Sequence, residues 1–147
     1  VLAWLGAFER AGIKVDNYFA SEINPDSIAV TQANYPNTIQ MGDICKLDEQ
    51  KLKELPKIDI LIGGYLLDLS RANSNGRGLE GKRSGLFYEY IRIRNWLRKY
   101  NNPDIYFFLL ENVKPKKDAL DIINSEMGVL PVIIDSALVS LREGLDI

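Results

Sequence analysis

The chain has 147 residues, of which 46% are hydrophobic and 26% are charged, and its formal net charge is −2. This size and composition fit a single domain over residues 1–147, and they exclude a disordered chain or a collagen-like fibre. With no histidine and one cysteine, Cys45, the sequence also excludes intramolecular disulfides, histidine- or cysteine-based zinc sites and any triad with a histidine base.

Apolar and polar segments alternate along the chain in a pattern that predicts helices and strands in turn. In chain order, the pattern predicts a helix over 3–11, a strand over Val15–Ile23, a helix from Asn24-Pro25-Asp26 to Asn34, a short strand over Thr38–Met41, a charged helix over Asp48–Leu55, a buried strand over Ile58–Ile62, a long helix over Ser84–Tyr100, a second buried strand over Ile105–Leu110, a helix over 116–127 and a last strand over Val129–Val139. This alternation is typical of an α/β fold with a mostly parallel sheet and helices on both faces.

The polar stretch Gly63–Lys82 is a predicted loop, and a loop of about 20 residues inside a compact domain is usually functional. It overlaps the segment Arg71–Lys99, which holds eight basic and two acidic residues, a net charge of +6. Such a concentration on an acidic chain indicates either a nucleic-acid contact or a solvated helix face with an ordinary mobile insertion.

The longest uncharged apolar stretch, Ile60–Leu67, is much shorter than the roughly 20 residues of a membrane helix, so we expect no membrane association. A lone thiol without disulfides is typical of a cytosolic protein, and we expect a cytoplasmic location. No histidine activates Cys45, so a small inert thiol is the favoured interpretation over a nucleophile.

Ligands on parallel sheets bind beyond the carboxyl ends of the strands, so polar residues at the predicted strand exits are the candidates for chemistry. Glu22 could accept hydrogen bonds from both hydroxyls of a ribose, or could cap the next helix. Asp43 could accept from an adenine amino group, or could belong to a plain turn. Gly63-Gly64 allows a close backbone approach to a ligand. Glu111-Asn112 could act on a substrate as a protonated donor, or could cap the next turn.

Together these exits match a known pattern, in family order and with family-like spacing over nearly the whole chain. The matching stretches are Glu9-Arg10-Ala11-Gly12-Ile13, Ala20-Ser21-Glu22-Ile23, Gly42-Asp43-Ile44, 58–64, Asp68-Leu69-Ser70, 78–89, Glu111-Asn112-Val113 and Asp135-Ser136. The chain resembles the catalytic domain of DNA cytosine-5 methyltransferases, particularly the branch close to animal de novo enzymes and their phage or bacterial relatives. That resemblance implies a truncated Rossmann-like fold, S-adenosylmethionine as cofactor without a metal, and double-stranded DNA as partner.

The resemblance also implies roles for individual residues. Glu22 would bind the cofactor's ribose, and Glu111, beside Asn112, would contact the ring nitrogen and amino group of a cytosine flipped out of the duplex. The loop 65–83 would close on DNA. The other cofactor residues would be Ile23, Asp43, Ile44, Gly63 and Leu86, and the DNA contacts would be Ser70, Arg71, Arg77, Lys82 and Arg83.

The sequence departs from the family pattern at three active-site loops. Val1-Leu2 runs almost directly into Ala3-Trp4-Leu5-Gly6, where a strand and a glycine-rich cofactor turn are expected. Tyr65-Leu66-Leu67 stands after Gly64, where the family carries Pro-Cys with the nucleophile. Residues 141–145 do not match the family's glutamine–arginine motif, and no target-recognition domain is found.

Two hypotheses follow from these departures. The chain is a cytosine-5 methyltransferase catalytic domain from a bacterium or phage, incomplete or inactive as written. Alternatively, it is a non-catalytic DNA-binding or regulatory module on the same fold. An unrelated nucleotide-binding domain is a third, more remote alternative.

Overall fold

The structure, a computed structural model, describes residues 2–64, 85–103, 107–111 and 117–134. In chain order the elements are α1 (Leu2–Arg10), β1 (Phe19–Ala20), α2 (Pro25–Asn34), β2 (Ile39–Gln40), a 3₁₀ turn (Ile44–Lys46), α3 (Glu49–Lys53), β3 (Ile60–Gly64), α4 (Gly85–Trp96), a π-helical turn (Leu97–Asn101), β4 (Phe107–Glu111) and α5 (Lys117–Met127). The chain forms two compact units, one of Val1–Leu61 with Tyr88–Phe108 and the other of Ile62–Phe87 with Leu109–Ile147.

The strands form two short sheets, in which β1 pairs with β2 and β3 pairs with β4. The first pair is parallel, with Phe19 opposite Ile39 and Ala20 opposite Gln40. Helix–strand alternation with parallel pairing confirms the predicted α/β class.

Helix α2 forms where its sequence signals predicted it. The side chain of Asn24 accepts hydrogen bonds from the backbone N–H groups of Asp26 and Ser27, at 2.9 and 3.1 Å. Pro25 occupies the first turn, where its missing N–H costs nothing. Local side-chain chemistry therefore fixes the start of this helix.

The core of the first unit lies between α3 and α4. Its buried members are Leu47, Leu52, Ile93, Trp96 and Leu97, with Met41, Ile44, Leu55, Ile58 and Leu61 packed against them. Ile93, Trp96 and Leu97 follow at helical spacing along α4 and the π-helical turn after it, so one face of this helix packs against the cluster.

The chain at the end of the π-helical turn forms hydrogen bonds with the residues just before β3. Asn101 accepts a hydrogen bond from the N–H of Ile58 at 2.7 Å and donates to the carbonyl of Pro56 at 2.9 Å. The neighbouring Asn102 is fully buried and donates to the carbonyl of Ile58 at 3.1 Å. The side-chain amides thus provide hydrogen-bond partners for the backbone of Pro56 and Ile58, which precede β3.

Three predicted strands are shorter, shifted or more exposed than expected. The strand Val15–Ile23 is reduced to Phe19–Ala20, which pairs with the two residues of β2, and Gly42 (φ +73°) turns the chain beyond the carboxyl end of β2. Gly63 and Gly64 extend β3 and do not open a loop. The prediction of fully buried strands is wrong for Ile60, Phe107 and Leu109, since a two-stranded sheet leaves strand faces uncovered.

The predicted strand Val129–Val139 is wrong over residues 129–134, which are irregular and exposed, and residues 135–139 lie outside the described part. Gly128 (φ +69°) ends α5, and Pro131 has no N–H to donate to a strand ladder. None of the described helices is long and apolar enough to cross a membrane.

Candidate functional site

Parallel pairing brings the ends of β1 and β2 to the same edge of their sheet. The N–H of Ile39 donates to the carbonyl of Tyr18 at 2.9 Å, and the N–H of Met41 donates to that of Ala20 at 2.8 Å. Glu22 and Asp43 follow these strands by two and three residues. The structure therefore brings together the two strand exits that the sequence analysis selected.

Glu22 is half-buried, and one of its carboxylate oxygens is already engaged. Oε1 accepts from the N–H groups of Ile23 and Asn24, both at 2.8 Å. These N–H groups lie just before α2, and the helix itself is capped by Asn24, so the helix-capping alternative for Glu22 is wrong. Because a carboxylate has further acceptor positions, this anchoring fixes the side chain while leaving Oε2 able to accept from a ligand hydroxyl.

Ile23, next to the anchored carboxylate, is 71% exposed. Ile44 differs, because it is half-buried and packs against the core of the first unit. Ile23 and Ile44, both assigned to the cofactor by resemblance, thus have different surroundings: Ile23 is exposed to solvent, and Ile44 packs against the core.

Asp43 organises the 3₁₀ turn that follows β2. Its Oδ1 accepts from the N–H of Cys45 at 3.0 Å, and its carbonyl accepts from the N–H of Lys46 at 2.9 Å. Gly42 precedes it with φ +73°, a conformation in which a side chain would be strained. Local backbone chemistry therefore directs the chain from β2 into this turn.

Arg92 on α4 binds the same turn, and the sequence analysis missed it as a site residue. Its Nη2 donates to the carbonyl of Leu47 at 2.7 Å and to that of Ile44 at 3.4 Å. Its Nε donates to Glu89, one helical turn earlier, at 2.7 Å. The only sequence signal was the Glu89/Arg92 spacing, which does not reveal contacts with residues 45 positions away.

Two of the basic residues counted toward the +6 segment are therefore engaged inside the protein. Arg92 is bound as described, and Arg94 is buried, with its guanidinium carbon 5.1 Å from the centre of the Phe108 ring. Neither is a freely solvated cation, so the positive charge that this segment offers to a partner is smaller than its sequence count suggests.

In the second unit, the ends of β3 and β4 bring Gly64 close to Glu111. A Cβ placed on Gly64 would lie 3.3 Å from Oε2 of Glu111, which is exposed at the end of β4. At the other end of the pair, the N–H of Phe107 donates to the carbonyl of Asp59 at 3.2 Å. The position after which a nucleophile was expected is thus beside the acid assigned to the cytosine.

The remaining predicted site residues divide into two groups. Gly63 is half-buried within β3, and Leu86 is half-buried in the first turn of α4. Six lie outside the described residues: Ser70, Arg71, Arg77, Lys82, Arg83 and Asn112. Among the described residues, no group of three or more histidine, cysteine, aspartate or glutamate side chains could hold a metal ion.

A cleft of about 570 Å³ opens elsewhere in the first unit. It is lined by Glu49, Lys53, Leu55, Lys57, Trp96, Tyr100 and Asn101. None of the predicted site residues lines it, so the cleft is separate from the strand exits described above.

The thiol of Cys45 should report on the charge of Asp43. Partial desolvation raises the pKa of Cys45, and the negative charge of Asp43 raises that pKa further. Asp43→Asn removes the second cause, so the pKa falls and more thiolate is present at pH 8. We expect iodoacetamide to alkylate Cys45 faster in this variant at pH 8, because the thiolate is the reactive form.

The matched control for this prediction is Asp16→Asn, an exposed carboxylate paired with Lys14. It should leave the alkylation rate unchanged. An Asp43→Asn rate at or below the unmodified rate across pH 7–9 would contradict the charge effect.

Comparison with known proteins gives a consistent result. The family described as C-5 cytosine-specific DNA methylase matches residues 5–127. The Type II methyltransferase M1.ScrFI of Lactococcus lactis subsp. cremoris is 38% identical over 104 residues, covering 71% of this chain and 24% of the relative. The Type II methyltransferase M.NgoBV of Neisseria gonorrhoeae is 31% identical over 108 residues, covering 74% and 23%.

The orphan methyltransferase M.SPRI of Bacillus phage SPR is 31% identical over 116 residues, covering 75% of this chain and 24% of the relative. The chain thus spans about a quarter of the length of the curated relatives that it matches.

Proposed function

Because the chain belongs to the C-5 cytosine-specific DNA methylase family, we propose that residues 1–147 are a single catalytic-domain core of a DNA cytosine-5 methyltransferase. Its cofactor would be S-adenosylmethionine, and its substrate would be a cytosine flipped out of double-stranded DNA. The protein would come from a bacterium or a phage and would act in the cytoplasm. The observation that carries this proposal is the parallel pairing of β1 and β2, which delivers Glu22 and Asp43 to one sheet edge.

The chemistry of these residues fits an adenosyl group. Oε2 of the anchored Glu22 can accept from a ribose hydroxyl, and the exposed Ile23 can cover an apolar ring face. Asp43 and Ile44 lie on the neighbouring exit, where a carboxylate can accept from an exocyclic amino group. When bound, the cofactor would supply the electrophilic methyl group.

Glu111 and Gly64 fit the cytosine end of the proposal. A carboxyl group at the end of β4 can hydrogen-bond the ring nitrogen and amino group of a pyrimidine, with Asn112 next to it in sequence. The absence of a side chain on Gly64 leaves the Glu111 carboxylate its space. Gly63 and Leu86, which the resemblance assigns to the cofactor, belong to the same unit as Gly64 and Glu111.

The chain lacks the family's nucleophile. Carbon-5 of cytosine becomes reactive when a thiolate adds to carbon-6, and covalent catalysis of this kind replaces one hard step with two easier ones. Gly64 is followed by Tyr65-Leu66-Leu67, and Cys45 follows β2, not β3. This absence favours a second candidate function, a non-catalytic DNA-binding or regulatory module on the same fold.

Cofactor binding tests the first part of the proposal. We expect S-adenosylmethionine to bind in the millimolar range, about −4 kcal/mol, because residues 2–10 are helical and provide no glycine-rich turn for the methionine end. Glu22→Gln keeps an acceptor for the two N–H groups but loses the charge, so affinity should fall roughly 10-fold. The dissociation constants of the unmodified chain and of Glu22→Gln are measured from amide chemical shifts of ¹⁵N-labelled protein during a titration with S-adenosylmethionine.

The control for this experiment is Glu54→Gln, an exposed glutamate at the end of α3. Its affinity should equal that of the unmodified chain. Micromolar binding by calorimetry would contradict the expected weakness, whereas no shift of any amide near Glu22 or Asp43 at 5–10 mM ligand, roughly ten times the expected constant, would count against the proposal itself.

DNA binding tests the second part, which depends on Ser70, Arg71, Arg77, Lys82 and Arg83. If these residues neutralise phosphates, affinity for duplex DNA falls steeply with salt, and the combined Arg77→Ala, Lys82→Ala and Arg83→Ala variant lowers the slope by about 3. Fluorescence anisotropy of a labelled duplex measures the slope. Lys53→Ala with Lys57→Ala, on the separate cleft, is the control, and no binding at low salt would contradict this part.

A further inference from the structure

We propose that Arg92 is a positioning residue that orders the turn Asp43–Leu47 for the adenosyl group. The inference deepens the proposed function and rests on it for the identity of the ligand. It names a residue on α4, outside the strand exits, as one determinant of cofactor affinity.

The turn has little structure of its own to hold it. The 3₁₀ segment, Ile44–Lys46, is three residues long. Asp43 accepts hydrogen bonds from the N–H groups of Cys45 and Lys46, and the carbonyl of Ile44 accepts one from the N–H of Leu47. So short a segment forms few hydrogen bonds for the backbone freedom that it loses. An external contact is therefore needed to keep one conformation.

Arg92 supplies that contact at both ends of the segment. A single nitrogen, Nη2, is 3.4 Å from the carbonyl of Ile44 and 2.7 Å from that of Leu47. Carbonyls at the end of a helical segment carry partial negative charge, and a guanidinium is the side chain best suited to several acceptors at once. The contact closes the turn against α4.

The position of the guanidinium is itself fixed. Glu89 holds it through Nε and Nη2, both at 2.7 Å, and both side chains are partly buried. The adjacent face of α4 is anchored by the buried Tyr90, Ile91 and Ile93. Arg92 thus links the turn Asp43–Leu47 to α4, whose position is fixed by its buried side chains.

The charges around the turn agree with this placement. Asp43, Glu89 and Arg92 all act on the thiol of Cys45, the first two raising its pKa and Arg92 lowering it. The guanidinium opposes the effect of the two carboxylates on Cys45 in part, and the pKa of the thiol stays above its ordinary value. Loss of the guanidinium would remove the cation that contacts the carbonyls of Ile44 and Leu47, while Lys51 would keep its contact with the carbonyl of Lys46 at 3.4 Å.

The test compares Arg92→Ala with Arg98→Ala, which removes the same charge from an exposed position on the π-helical turn. Hydrogen exchange of individual amides is measured by NMR, and S-adenosylmethionine is titrated into each variant. In Arg92→Ala we expect exchange at Cys45, Lys46 and Leu47 to rise roughly 10-fold or more. The amides of Ile39 and Met41 in the β1–β2 ladder should keep their rates, which separates loss of the turn from general unfolding.

The affinity of Arg92→Ala for S-adenosylmethionine should also fall by roughly 10-fold. Arg92→Lys keeps the charge but not the forked guanidinium, so its affinity should lie between those of the unmodified chain and Arg92→Ala. Arg98→Ala should match the unmodified chain in both measurements. Equal exchange at residues 45–47 in Arg92→Ala and Arg98→Ala would overturn the inference, as would faster exchange with unchanged affinity. If the unmodified chain itself binds no cofactor, the proposed function fails and the cofactor role of Arg92 fails with it, an outcome distinct from the other two.

Discussion

A polypeptide of these 147 residues is expected to transfer no measurable methyl group to DNA. Glu111 and Asn112, which we propose contact the cytosine, cannot add to its carbon-6. The only thiol in the sequence, Cys45, follows β2, whereas the nucleophile is expected after Gly64 on β3. Deleting the nucleophile of an enzyme typically lowers the rate by on the order of 10⁴-fold or more. No other described feature replaces that covalent step.

Labelled methyl transfer from S-adenosylmethionine to mixed-sequence duplex DNA measures this rate. The full-length relative from Lactococcus lactis serves as the positive control, and the Cys45→Ala variant of this chain tests the misplaced thiol. Incorporation above the heat-denatured blank, retained in Cys45→Ala, would contradict the prediction and require a mechanism without a thiolate.

The second large effect concerns stability. Leu97 is 1% exposed in the cluster of Leu47, Leu52, Ile93 and Trp96. Leu97→Ala removes buried methyl groups and leaves a cavity, so the free energy of unfolding should fall by about 2–5 kcal/mol. Urea denaturation followed by tryptophan fluorescence measures this, because Trp96 belongs to the same cluster.

Leu130→Ala is the matched control, since the same side chain is 82% exposed in the irregular segment after α5. Its effect should stay within about 0.5 kcal/mol. Equal losses for the two substitutions would mean that the cluster around Leu97 is not the main stabilising core of its unit.

The helices were predicted well because their first and last residues depend on interactions between neighbours in the sequence. Asn24-Pro25 starts α2 and Gly128 follows α5, and both boundaries agree with the structure within one or two residues. Strands were predicted less well, since their extent depends on a partner. Residues 15–18 were predicted as part of a strand but lie outside β1, although the carbonyl of Tyr18 accepts from the N–H of Ile39, and β2 is only two residues long.

The same division applies to the candidate site. Glu22, Asp43 and Glu111 were selected because strand ends can be read from the apolar pattern, and the geometry places each at such an end. Arg92 was missed because its partners lie 45 and 48 positions earlier in the chain. No local pattern reveals such a contact, and its charge was counted with the basic segment instead.

The amides of Asn101 and Asn102 have a consequence for the length of chain that separates them from Ile58. They bind the backbone of Ile58 across 43 and 44 positions of sequence, within the first unit. Loop-closure entropy grows only with the logarithm of length, and doubling such a separation costs about 0.6 kcal/mol. A change in the number of residues between Ile58 and Asn101 therefore adds little to the entropic cost of closing this contact.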